Sequence, residues 1–150
     1  MPSGMKNCFV DTNLLVYTID PIDPRKRLRA QNLLREIISN HTLVLSPQSL
    51  NECYRVTAEK RGLMPRSEAR RLVWGWSEFC TAPYDFQVTQ QAWNIQDRHG
   101  FGWWDCMLLA SASLANCHLF LSEDMQHGQS VADMTILDPF KSEHSVLFSR

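Results

Sequence analysis

Apolar residues fall along this chain in two patterns: short unbroken runs, and stripes that recur every three or four positions. The runs are CFV (8–10), LVL (43–45) and LFL (119–121), each flanked by polar residues. A short run without alternation marks a strand buried on both faces, as in a parallel sheet covered by helices. The pattern predicts strands over 7–11, 42–46, 84–88 (YDFQV), 118–121 and 135–137 (TIL). In the stripe over 25–39, Ala30, Leu33, Leu34, Ile37 and Ile38 share one helix face, and Arg and Lys take the other.

Local signals place the remaining helices. Ser46 before Pro47 is a helix start, because proline at the first helical position sacrifices no needed N–H; that helix is expected to reach about Lys60. GLMPRS interrupts, and a further helix is expected over 66–80. Thr89 is positioned to cap QQAWNIQDRH, and after Gly100 and Gly102 a helix is expected over 103–116. DPIDPRK and SEDMQHGQS have loop composition. Strands alternate with helices nearly throughout. This predicts a three-layer α/β/α sandwich with a mostly parallel central sheet, one domain over 1–150 with a core of about 7–140.

Such sheets bind ligands outside the carboxyl ends of their strands. Asp11 ends the first predicted strand, and Ser122-Glu123-Asp124 follows the 118–121 strand. Asp105 falls in the first turn of its helix, and Glu52 falls one or two turns into the helix after the second strand. All four acids are therefore expected on one rim. Each also has a local explanation. Asp11 can cap the following NLLVYTI helix, Asp105 can interact with its own helix terminus, Glu52 can be a solvated neighbour of Arg55, and Asp124 can serve a turn. Together the four would repel one another unless a cation neutralised them. Carboxylates without Cys or His suit a hard ion such as Mg²⁺ or Mn²⁺. That chemistry suits phosphodiester hydrolysis better than acyl transfer, and no nucleophile-elbow, Walker A or dinucleotide-binding motif competes.

Composition narrows the class. The chain has 150 residues, 44% hydrophobic and 21% charged, with net charge −1, a soluble globular profile. No apolar run approaches the roughly 20 residues that span a bilayer, and MPSGMKNCFV has no signal-peptide pattern. A cytoplasmic protein without membrane contact is expected. The five Cys show no C-x-x-C spacing and the five His are scattered, so reduced, mostly buried thiols are expected rather than a zinc site or disulfides. Charge is unevenly spread: residues 25–71 hold eleven of the fifteen bases and only four of the sixteen acids. Such asymmetry fits a polyanion-binding face or an acidic partner, and also a pair of solvated helix faces.

The segments FVDTNLLVY, LSPQSLNECYRV, FGWWDCMLLASASLANCHLFLSEDMQHG and TILDPF together resemble the ordered motifs of PIN-domain ribonucleases, particularly the VapC-like toxins of bacterial toxin–antitoxin pairs. The resemblance spans about 7–140. It implies that Asp11, Glu52, Asp105 and Asp124 bind Mg²⁺ or Mn²⁺ and cleave RNA with metal-activated water. It implies that Asn13 and Ser122 support the metal site, and it adds a homodimer and a cognate antitoxin that occupies the groove. Cys106 departs from the small residue, commonly Ala, that follows the third acid. Glu123 adjoins Asp124 and leaves the fourth acid open, the Ser-x-Asp spacing favouring Asp124.

Basic residues Arg25, Lys26, Arg27 and Arg29, or the Arg66–Arg71 group, are candidate contacts for RNA phosphates. Of the tryptophans, Trp103 and Trp104 beside Asp105 have the best claim to stack on bases; core or interface packing is the ordinary role of Trp at helical spacing. The helical region 48–80 is a candidate dimer or antitoxin contact. Three alternatives stand beside the ribonuclease. They are a non-catalytic RNA- or protein-binding module of the same fold, a DNA nuclease, and a Mg²⁺-dependent phosphatase. The phosphatase wants an Asp two residues after Asp11, where this chain has Asn13.

Overall fold

The computed structural model describes residues 4–141, 147 and 148. Among them, five strands form one sheet: β1 (Asn7–Val10), β2 (Thr42–Val44), β3 (Leu119–Leu121), β4 (Ser130–Val131) and β5 (Met134–Leu137). Their order is β2-β1-β3-β5-β4, parallel except where β4 meets β5. The α-helices are α1 (Thr12–Tyr17), α2 (Pro24–Asn40), α3 (Pro47–Tyr54), α4 (Arg66–Trp76), α5 (Phe86–His99) and α6 (Trp103–Leu114).

Alternating side chains of the strands serve two cores. Phe9, Val44, Phe120 and Ile136 pack with Val88, Ala92, Ile95 and Leu109 of α5 and α6. Cys8, Val10, Leu43, Leu119 and Leu121 pack on the opposite face with Leu14, Leu15, Leu33, Leu34 and Ile37 of α1 and α2. Phe9 and Phe120 stack with ring centroids 5.1 Å apart. Burying each such Leu or Phe is worth roughly 1.5–3 kcal/mol, and both faces of the sheet collect that gain. The result is the expected α/β/α sandwich.

Several local expectations are corrected. Residues 84–88 are not a strand. Tyr84 and Phe86 are exposed, whereas Val88, Ala92 and Ile95 form a buried helical stripe. Asp85, not Thr89, caps α5, its side chain accepting from the Gln87 N–H at 3.1 Å. The only extended pairing near this region is a single bridge between Leu45 and Cys80 among the described residues. The helix expected to reach Lys60 leaves α geometry after Tyr54 and continues as π turns over Arg55–Lys60. Thr57 Oγ1 donates to the Cys53 carbonyl there, a side-chain intrusion of the kind that disturbs helical bonding. The helix expected over 66–80 is α-helical to Trp76 and continues as a 3-10 turn over Ser77–Phe79, and the one expected over 103–116 ends at Leu114. Finally, β4 and β5 form a hairpin at the end of the expected SEDMQHGQS loop, turning on Ala132 and Asp133, both at positive φ.

Candidate active site

Parallel pairing of β1 with β3 sets Val10 opposite Leu121, so Asp11 and Ser122 emerge side by side at the carboxyl rim. The Asp11 N–H donates to the Leu121 carbonyl at 2.9 Å, extending the ladder by one bond. Asp11 also caps α1: its Oδ1 accepts from the Thr12 N–H at 2.7 Å. Its Oδ2 accepts from the Ser122 hydroxyl at 2.8 Å. The capping and rim roles of Asp11 thus coexist in one side chain.

The other acids arrive on separate elements. Ser46 caps α3 with Pro47 in its first turn, and one turn later Glu52 faces α1, accepting from Thr12 Oγ1 at 3.0 Å. Gln48, one turn earlier on the same face, donates to Glu52 Oε1 at 3.1 Å. Asp105 lies in the first turn of α6, which starts at Gly102 without a side-chain cap. Asp124 accepts from the Asn13 side-chain amide, and its N–H donates to Ser122 Oγ at 3.2 Å. Asp11, Glu52, Asp105 and Asp124 line one cleft of about 290 Å³ together with Thr12, Asn13, Arg55 and Lys60.

Four carboxyl groups against Arg55 and Lys60 leave this cleft with an excess of acidic groups. Burial pushes the Asp11 carboxyl up to about 6, against the opposing bonds from Ser122 and Thr12, and the Asp105 and Asp124 charges add to the rise. Asp105 is raised by partial desolvation, then by Asp124 and Glu52. Among the described residues, none of these four acids is in a salt bridge; the pairs are Lys26–Glu123, Arg61–Asp20 and Arg66–Glu59. Among the same residues no group of three His, Cys, Asp or Glu is arranged to hold a metal ion. Glu52 is drawn toward Thr12 and Gln48, and Asp124 toward Asn13, so the carboxylates share a cleft without closing a cage.

Glu123 takes a different path from its neighbour Asp124. It accepts from Tyr17 Oη and from Lys26 Nζ, the latter at 2.6 Å. The Lys26 ammonium also lies 5.0–5.1 Å from the ring centres of Tyr17 and Phe140. Arg25, Lys26 and Arg29 line a hollow of about 610 Å³ with Asp23, Phe140 and Lys141, and Arg29 Nε donates to the Pro139 carbonyl. Arg27 instead lies near Asp20 and is not among the residues lining the hollow. Trp103 packs against the α5–α6 core, whereas Trp104 is 63% exposed. A further groove on α3 and α4 is lined by Leu50, Tyr54, Arg70, Val73 and the exposed Trp74.

Sequence reasoning missed Thr12, Tyr17, Gln48 and Tyr84 as parts of this region. Gln48 was findable, since four residues before Glu52 is the helical spacing for a bonded pair. Tyr17 and Tyr84 left no signal, because their partners Glu123 and Gln48 are remote in the chain.

Among the described residues no helix is long and apolar enough to cross a membrane. No curated protein sequence matches the chain. Among solved structures it is similar to VapBC2 from Rickettsia felis, solved bound to a promoter DNA fragment, at 13% identity and TM-score 0.63, covering 87% of this chain and 96% of that one. It is also similar to a toxin–antitoxin complex from Klebsiella pneumoniae, at 16% identity and TM-score 0.66, covering 88% and 97%. A third likeness is VapBC-1 from nontypeable Haemophilus influenzae, at 18% identity and TM-score 0.61, covering 89% and 98%. At such identities the likeness establishes the fold. The PIN-domain family profile matches residues 8–129, from the first buried strand through the acidic rim, and the chain belongs to the PIN-domain family.

Proposed function

We propose that this protein is a metal-dependent endoribonuclease and the toxin of a toxin–antitoxin pair, acting in the cytoplasm. PIN domains are generally nucleases, and the similar solved structures include toxin–antitoxin complexes. The observation that carries the reading is the convergence of Asp11, Glu52, Asp105 and Asp124 from four distant segments on one cleft, with Asp11 pushed up to about 6 by burial and further by the Asp105 and Asp124 charges. A fold tolerates such repulsion when a cation relieves it.

The donor set fits a hard divalent ion in kind, being oxygen only. Its open arrangement also fits Mg²⁺, which keeps several waters and uses one or two carboxylates directly. Asp11, Glu52, Asp105 and Asp124 are the residues that would hold the ion. When bound, Mg²⁺ or Mn²⁺ would supply an activated water and neutralise charge developing on the phosphoryl oxygens. Ser122 and Thr12 orient Asp11, Asn13 orients Asp124, and Thr12 with Gln48 orients Glu52. Arg25, Lys26 and Arg29, beside Lys141, would attract the RNA backbone. A homodimer and an antitoxin bound over the groove complete the reading, with the α3–α4 surface as a contact.

The test is cleavage of total RNA by wild type and Asp105→Ala in Mg²⁺, Mn²⁺ and EDTA. Discrete fragments that require both metal and Asp105 are expected. Intact RNA in every condition, from folded and inhibitor-free protein, would reject the enzyme. The unclosed carboxylate set favours one second reading, a nucleic-acid- or protein-binding module of the same fold. Metal-independent binding without cleavage would establish it. Asn13, bonded to Asp124, offers no general acid for a phosphatase, and turnover of small phosphate esters is not expected.

A further inference from the structure

We infer that Tyr84 and Trp104 form a stacking subsite for one unpaired nucleobase, and that Gln48 holds this subsite in register with the acidic cleft. The inference rests on the nuclease reading and narrows its substrate to a single-stranded segment.

Gln48 is 7% exposed and its amide is bonded on three sides. Nε2 donates to Glu52 Oε1 and to the Trp104 carbonyl, each at 3.1 Å. Oε1 accepts from Tyr84 Oη at 3.0 Å. An amide has two N–H donors and one oxygen acceptor. A flipped amide would turn its oxygen on a carboxylate and a carbonyl, so these partners permit one orientation only. One buried side chain thus ties α3, the loop before α5 and the first turn of α6 to a carboxylate of the cleft.

The aromatic groups that Gln48 holds remain open. Trp104 is 63% and Tyr84 is 41% exposed, although their backbone carbonyl and hydroxyl are tied inward. Burial, and then the Glu52 charge, raises the Tyr84 hydroxyl and keeps it protonated and donating. A tyrosine ring pinned by its hydroxyl and an indole on an anchored backbone, both facing solvent beside the cleft, are what base stacking uses, and stacking needs a base that is not already paired in a duplex. The basic hollow of Arg25, Lys26 and Arg29 is joined to Glu123 by Lys26, while Gln48 is joined to Glu52. The hollow is thus tied to the chain neighbour of one cleft acid, Asp124, and the rings to another, Glu52.

The test measures binding of oligoadenylate and of an oligo(A)·oligo(U) duplex by fluorescence anisotropy in Mg²⁺. All proteins carry Asp105→Asn, so that binding is read without cleavage and independently of whether the wild type cleaves. Trp104→Ala is expected to weaken oligoadenylate by roughly 5- to 100-fold, Trp104→Phe by less, and duplex binding should change little. In a cycle with Gln48→Met, the second substitution should add less than about twofold, because Gln48 acts through the rings. Unchanged oligoadenylate affinity in folded Trp104→Ala protein overturns the subsite, as does an equal loss on the duplex. A loss that light scattering traces to a smaller oligomer also overturns it and assigns the rings to a protein interface. Independent, multiplying losses in the cycle remove Gln48 from the assignment.

Discussion

Ser122 donates its hydroxyl to Asp11 Oδ2 at 2.8 Å across the ends of two adjacent parallel strands, 111 positions apart in the chain. Ser122 Oγ in turn accepts the Asp124 N–H at 3.2 Å. One serine therefore holds down the Asp11 carboxyl and fixes the turn that presents Asp124.

Ser122→Ala should raise the Asp11 carboxyl further, since the bond it removes is the largest opposing influence on it. The acid limb of the pH–cleavage profile should move to higher pH. Loss of the buried bond should cost about 1–3 kcal/mol of stability at pH 8, checked by urea unfolding.

Asp11 titrates at about 6 in the fold, above its ordinary 3.8. Its contribution to stability is therefore present below about pH 4 and lost as pH rises through 6. The loss is on the order of 3 kcal/mol by linkage. In EDTA, Asp11→Asn should be more stable than wild type at pH 8 by about 1–3 kcal/mol, and the gap should close near pH 4. Mg²⁺ should raise the melting temperature of wild type at pH 8 and leave that of Asp11→Asn nearly unmoved. Thermal scans at the two pH values check both.

Glu123 is engaged by Tyr17 and Lys26, whereas Asp124 lines the cleft with Asp11. Asp124→Asn should lower cleavage by about 100-fold or more. Glu123→Gln should lower it by less than about tenfold and act mainly on stability. Single-turnover rates at saturating Mg²⁺ separate the two.

Arg25 is exposed at the start of α2 and lines the basic hollow. Arg25→Ala should weaken RNA binding and reduce the slope of log affinity against log salt by about 0.7–0.9. Arg27→Ala, outside the hollow beside Asp20, should leave the slope unchanged. Salt titrations of the Asp105→Asn protein measure both.

The sequence by itself determined the layers. Unbroken apolar runs such as CFV and LFL can be satisfied only between two helix layers, and Ser46-Pro47 and the stripe Ala30, Leu33, Leu34 and Ile37 set the start of one helix and the face of another, while Ile38, expected on that face, is exposed. It also placed Asp11 and Asp124 at strand ends, because a charged residue after a buried run marks where the strand leaves the core. The segment 84–88 misled because Tyr84 and Phe86 are apolar yet exposed, and alternation does not reveal which ring a fold leaves in solvent. Tertiary structure alone decided the rest. Parallel register brought Ser122 to Asp11, and three bonds at Gln48 gathered Glu52, Tyr84 and Trp104. These are side-chain bonds between segments whose separation in the chain bears no periodic relation. Periodicity reports which face a residue takes, and only the packed fold reports what that face meets.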